Sequence, residues 1–98
     1  MGAPVFNITQ ASSDEAFDHL QGQVLEATAD GAKEVVVAID GLQSLDSANI
    51  RRLIKLLRRT RDAGGEITLA VSRLDLLRTL NVTALDKVFR VIGSAEAA

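Results

Sequence analysis

The spacing of hydrophobic residues along the chain switches repeatedly between a strand-like and a helix-like period, so the sequence predicts strands and helices in turn. Short β-branched or period-two runs are typical of strands, whereas apolar residues three and four positions apart are typical of amphipathic helices. The predicted order is β-α-β-α-β-α-β, which indicates an α/β fold with a mostly parallel mixed sheet and helices packed against it. The predicted strands are Val5–Thr9, Glu34–Ile39, Glu66–Val71 and Lys87–Ile92.

Capping signals predict where the helices begin and end. Ser12 followed three residues later by Glu15 forms a capping-box pattern at the start of the first helix. Ser72 is the predicted N-cap of a short third helix over 73–80. A glycine just after a helical pattern commonly marks the end of the helix. Gly31 is therefore predicted to end the first helix, and Gly64-Gly65 to end the second.

The second helix has the clearest pattern in the chain, with apolar and basic residues on opposite arcs. A basic arc is usually a solvated helix face, and its functional alternative is a docking face for an acidic partner. Nucleic acid is not expected, because one basic stripe without aromatic residues falls short of a nucleic-acid footprint. The apolar arc is Ile50, Leu53, Ile54, Leu56 and Leu57, and the basic arc is Arg51, Arg52, Lys55, Arg58 and Arg59.

Composition narrows the class of protein. The 98 residues suit a single domain over 1–98, with a frayed tail from about 93 to 98. There is no Cys, Tyr or Trp and only one His, His19, so no nucleophile–base pair or metal set can be named and no cofactor is expected. No apolar run approaches the length of a membrane span, and a cytoplasmic protein is the simplest expectation. The net charge of −2 conceals an acidic first half and a basic second half.

A motif with recognisable spacing lies between the second strand and the second helix. The loop Asp40–Leu45 leads to the pair Asp46-Ser47 and then to an amphipathic helix that ends at Gly64-Gly65. This arrangement resembles the STAS domain (sulfate transporter and anti-sigma factor antagonist), whose members carry Asp-Ser-Ser-Gly or Asp-Ser-Thr-Gly before the helix. The stretch 80–89 is similar to the family's closing segment, with Ala84 where glycine is frequent. The resemblance covers Val35–Phe89 and implies a STAS-like fold.

The chain departs from the family pattern at two motif positions. In phosphorylatable members, an anti-sigma kinase modifies the second hydroxyl residue of the motif, and the matching position here is Ala48. Asn49 stands in place of the family's glycine. Ser47 is the remaining candidate for phosphorylation, although Asp46 or Ser47 is also a natural N-cap for the helix. The family often has two strands before the first helix, where this chain has only Val5–Thr9.

The resemblance implies a non-catalytic protein-interaction module like the anti-sigma factor antagonists of bacterial partner switching. Its expected partner is an anti-sigma factor or serine kinase, without the usual phosphorylation switch. The alternative is an accessory subunit that docks on the ATPase of a lipid-trafficking ABC transporter, without inserting into the membrane. A helix N-terminus also attracts acidic groups on physical grounds alone. The residues expected to form the contact are Asp46, Ser47, Ala48, Asn49, Arg51 and Arg52.

Overall fold

The computed structural model describes residues 4–8, 14–42 and 45–93. Its strands are β1 (Val5–Asn7), β2 (Glu34–Ala38), β3 (Glu66–Ala70) and β4 (Arg90–Ile92), and its helices are α1 (Asp14–Ala29), α2 (Ser47–Asp62) and α3 (Leu74–Val82). A short 3₁₀ helix spans Leu85–Lys87. The strands form one sheet in the order β1-β2-β3-β4, and all three pairings are parallel. The predicted α/β class with a mostly parallel sheet is confirmed.

The strand order determines where the helices lie. When each parallel strand is placed beside the one before it, right-handed connections put every helix on the same face of the sheet. The hydrophobic core agrees, because α1, α2 and α3 each contribute to one buried cluster with alternate residues of β2 and β3. Strand residues in that cluster include Val35, Val37, Ile67 and Leu69. Val36 is also buried, so the predicted burial of both faces of β2 is confirmed.

The structure corrects two predictions in the last third of the chain. Ser72 is not the N-cap of α3, since Arg73 holds that position, and the Ser72 hydroxyl is instead 2.6 Å from a carboxylate oxygen of Asp40. The last strand starts at Arg90 rather than at Lys87, because the preceding residues form the 3₁₀ helix. Leu85, the first residue of that helix, and Phe89, which follows it, are both buried, and the Phe89 backbone N–H donates to the Leu85 carbonyl at 2.8 Å.

Two other predicted features fall on the edge of the described chain. Ser12, the predicted cap of α1, lies outside the described residues, as does the expected frayed tail after Gly93. The predicted end of α1 is confirmed, because Gly31 follows it with a φ of 108°.

Ala84 has a φ of 60°, the left-handed conformation that glycine adopts without steric strain. This explains why Ala84 is an unusual residue at its position.

Gly65 allows the C-terminal ends of α1 and α2 to pack closely. A Cβ added to Gly65 would lie 3.0 Å from the Thr28 hydroxyl oxygen and 3.0 Å from the Thr60 methyl carbon. Both threonines are buried, and each hydroxyl donates to the carbonyl four residues earlier in its own helix. Neither side chain can rotate away without giving up that hydrogen bond. A side chain at position 65 would therefore have to push one of these threonines aside by a few tenths of an ångström.

We expect Gly65→Ala to lower the free energy of unfolding by about 1–2 kcal/mol, because overfilling a packed site forces its neighbours apart. Urea unfolding monitored by circular dichroism measures the change. Gly22→Ala is the matched control, since Gly22 lies within α1 and a Cβ there would meet no atom within 4 Å. That control should gain up to about 1 kcal/mol from helix propensity. Equal stability of the Gly65→Ala variant and the wild type would contradict this account.

Candidate functional site: the start of helix α2

Asp46 forms the N-cap of α2. Its backbone is extended, with φ −76° and ψ 175°, and its carboxylate accepts a 2.8 Å hydrogen bond from the Asn49 backbone N–H. Its carbonyl accepts the first helical bond, from Ile50. A side-chain oxygen at this position satisfies one of the amides that a helix start leaves without a partner. Of the two predicted caps, Asp46 and Ser47, the structure selects Asp46.

The first turn of α2 presents small or basic side chains to the surface. Ser47 is the first helical residue and is exposed, while Ala48 is half-buried. No acidic residue occupies this turn. Basic side chains follow at once, and Arg51, Arg52 and Lys55 line a shallow depression together with Ala48. The positive end of the helix dipole adds to these charges, so the surface is suited to an acidic group.

Two of the predicted contact residues support the site from beneath. Asn49 is 1% exposed, which withdraws its side chain from the surface. Its amide oxygen accepts a 2.9 Å hydrogen bond from Arg52. The Arg52 guanidinium also lies 5.8 Å from the centre of the buried Phe17 ring on α1, within the range of a cation–π contact. Asn49 and Phe17 thus hold Arg52 against α1, and only part of Arg52 is available to a partner.

The structure therefore brings together all six predicted site residues, but in different roles. Asp46 caps the helix, Asn49 is buried, and Arg52 is half-buried. Ser47 and Arg51 are exposed, and Ala48 is half-buried beside them. His19 is exposed on α1, outside this cluster. Within the described ranges, no group of three or more His, Asp or Glu is placed to hold a metal ion.

A hydrogen-bonded bridge beside the site was not predicted from the sequence. Asp40, just after β2, accepts hydrogen bonds from the Ser72 and Arg73 backbone N–H groups and from the Ser72 hydroxyl. Arg73 in turn donates to the carbonyls of Asp40 and Leu42 and pairs with Asp75 at 2.6 Å. We call these contacts the loop bridge. It ties the connection that leads into α2 to the connection that leads into α3.

The loop bridge changes the acidity of Asp40. Burial raises the pKa of this carboxyl, but the hydrogen bonds from Ser72 and Arg73 and the Arg73 charge together outweigh burial, so the pKa is lowered overall.

A signal in the sequence could have predicted the loop bridge. Asp40 and Ser72 both follow buried parallel strands, and the carboxyl ends of neighbouring parallel strands lie at the same edge of a sheet.

Comparison with known proteins identifies the kind of domain that this site belongs to. The STAS domain model matches residues 2–98, whereas a search of curated proteins found no match. None of the helices in the described part of the chain is long and apolar enough to cross a membrane.

Solved structures share the fold at low sequence identity. A sulfate transporter family protein from Wolinella succinogenes superposes with a TM-score of 0.77 and 17% identity, over 98% of this chain and 80% of that one. A protein of Thermotoga maritima described as an anti-sigma factor antagonist gives a TM-score of 0.64 and 18% identity, over 99% and 79%. The anti-sigma factor antagonist SpoIIAA in its unphosphorylated form gives 0.64 and 15%, over 95% and 82%. At these identities the likeness concerns the fold alone.

Proposed function

The chain belongs to the STAS domain family, and on that basis we propose that it is a non-catalytic interaction module of the anti-sigma factor antagonist type. In this proposal it binds an anti-sigma factor or serine kinase of a bacterial partner-switching system. The observation that carries the proposal is the surface of the first turn of α2, where no acidic residue follows the Asp46 cap and basic residues lie beside Ala48. Such a surface fits an acidic group on a protein partner.

The proposal includes a change in how binding is controlled. Ala48 stands where the phosphorylatable members have their modified serine, and its methyl group cannot carry a phosphate. A phosphate there would place about two negative charges beside the docking surface and repel an acidic partner. Because this chain lacks that hydroxyl, binding is constitutive or is controlled by another input.

We expect no phosphorylation by a serine kinase that the domain binds. Ser47 is exposed but is not the family's target position, so it should stay unmodified. Incubation with the kinase and ATP, followed by intact-mass measurement, tests this expectation. Ala48→Ser, which restores the hydroxyl, is the positive control and should gain one phosphate. Stoichiometric modification of Ser47 in the wild type would contradict the proposal.

A quantitative pull-down tests the partner. The wild-type domain and Ala48→Asp are immobilised in parallel, and mass spectrometry identifies proteins that are captured by the first and lost from the second. We expect an anti-sigma factor among them. Addition of the domain to the purified complex of that anti-sigma factor with its sigma factor should then release the sigma factor. Recovery of no anti-sigma factor would overturn the proposal.

The missing hydroxyl also favours a second candidate. A STAS accessory subunit that docks on the ATPase of a lipid-trafficking ABC transporter needs no phosphorylation, and Ala48 is compatible with such a role. The same pull-down separates the two candidates, because it would then recover a transporter ATPase and its permease. Stimulation or inhibition of ATP hydrolysis by the added domain would give this candidate direct support.

A further inference from the structure

Four cations on the outward face of α2 have no partner among the described residues. They are Arg51, Lys55, Arg58 and Arg59, which we call the basic stripe. All four are exposed, and none of their side chains forms a hydrogen bond or ion pair within the described chain. Other bases are engaged: Arg61 lies 2.9 Å from Glu66, and Arg90 lies 3.7 Å from Glu34. Like charges four residues apart on a helix repel each other, so an anionic ligand along the stripe would relieve that repulsion.

The basic stripe borders a groove that has an apolar residue at its base. Ile54 is half-buried and lines this groove with the four cations and Asp62. Through Arg51 and Lys55 the groove continues into the depression at Ala48, so the cationic surface runs along the whole helix. The distance from Ala48 to Asp62 along the helix axis is about 21 Å at 1.5 Å per residue. A partner helix of about 14 residues matches that length.

The neighbouring helix limits the width of any ligand. α1 packs beside α2 and carries exposed acids at Glu15, Asp18 and Glu26, none of which forms an ion pair within the described residues. Asp18 lines a common groove with Lys55. Packed helix axes are typically about 8–10 Å apart. An anionic bilayer or a nucleic-acid duplex would therefore bring its negative charges against the α1 acids as well as the basic stripe, whereas a single helix along α2 would meet the α1 acids on one flank only.

We infer that α2 binds an acidic amphipathic helix of a protein partner along its entire outward face. Acidic side chains of the partner helix pair with the basic stripe, and one apolar side chain packs on Ile54. The flank of the partner helix that faces α1 is neutral or basic, so it complements the acidic residues of α1. This inference rests on the proposed function, because it takes α2 as the docking helix. It adds two claims: that the partner segment is an acidic helix, and that the contact extends along α2 beyond Arg52.

Nuclear magnetic resonance titration of the ¹⁵N-labelled domain tests the inference with a defined probe. The probe is a synthetic helical peptide with Glu on one face, a single Leu within that face and Lys on one flank; the control peptide has Gln in place of every Glu. We expect saturable shifts along α2 from 48 to 62 with the acidic peptide and none with the Gln peptide. Arg58→Glu should weaken binding at least tenfold. Arg78→Glu, an exposed arginine on α3, is the matched control and should leave the affinity unchanged.

Other outcomes would overturn the inference. It fails if the acidic peptide at about 1 mM shifts no α2 resonances, because binding with a Kd of about 1 mM or tighter would then have been detected. It also fails if anionic vesicles, duplex DNA or a second copy of the chain occupy the basic stripe more tightly than the peptide. Binding of the native partner distinguishes this inference from the proposed function. If Ala48→Asp abolishes that binding while Arg58→Glu leaves it unchanged, the proposed function stands and the extended contact is refuted.

Discussion

Ala48→Asp is expected to reduce partner affinity at least tenfold, which corresponds to about 1.4 kcal/mol, while the domain stays folded. The substitution places a negative charge in the depression that Ala48 shares with Arg51, Arg52 and Lys55. That charge would repel an acidic partner and compete for the cations that attract it. Isothermal titration calorimetry with the purified partner measures the loss.

The stability of the same variant should be retained. An acidic residue in the first turn of a helix interacts favourably with the helix dipole by about 0.3–1 kcal/mol. Arg51 and Arg52 lie three and four residues after position 48, which is the spacing for a favourable pair on a helix. Ala48→Asn, which has a similar shape without the charge, is the control and should keep most of the affinity. Unchanged affinity of Ala48→Asp would place the partner on another surface.

Asp40→Ala is expected to lower the free energy of unfolding by about 2–3 kcal/mol. It removes the acceptor of three hydrogen bonds in the loop bridge, two of them from backbone N–H groups. Hydrogen bonds to a charged acceptor contribute about 1.5–3 kcal/mol each, and because Asp40 is partly exposed to water we expect the total loss to be close to the value of one of them. Thermal and urea unfolding measure the loss. Asp75→Ala, which removes only an exposed partner of Arg73, should cost much less.

The stabilisation from Asp40 should depend on pH in a defined direction. The pKa of Asp40 is lower in the folded domain than its ordinary value of 3.8, so the carboxylate stabilises the fold above that value. This contribution is lost as the pH falls through the lowered pKa. The stability difference between the wild type and Asp40→Asn should thus be constant near neutral pH and shrink below about pH 4. A difference that does not change between pH 7 and pH 2 would contradict this account.

Local patterns predicted the fold well because most elements depend on local spacing. The apolar arc of α2 was clear because residues such as Leu53 and Leu57 recur at helical intervals and are buried. The start of α2 could be located because an N-cap acts within three residues of its partner amide, as Asp46 does with Asn49. These are interactions between neighbours in sequence, and a sequence pattern records them directly.

Predictions failed where distant residues compete for a local group. Ser72 has the chemistry of an N-cap, yet its hydroxyl and amide are used by Asp40, which is 32 residues away. Near the last strand, Phe89 and Val91 fit the alternation of a strand, but Leu85 and Phe89 both pack in the core and the chain forms a 3₁₀ helix over Leu85–Lys87 before the strand begins. The burial of Asn49, whose amide oxygen accepts a hydrogen bond from Arg52, was also not predicted from the sequence.

The parallel direction of all four strands decides how this domain should be attached to a surface or a fluorophore. Pro4 precedes β1 at the amino edge of the sheet, whereas Gly93 follows β4 at the carboxyl edge, where the connection into α2 also begins. A tag attached ahead of Pro4 is therefore joined at the sheet edge opposite to the one where the connection into α2 begins. One attached at Gly93 is joined at the same sheet edge as the start of that connection, where it would be closer to a protein bound at the proposed docking surface. Amino-terminal immobilisation is accordingly the orientation that leaves α2 accessible.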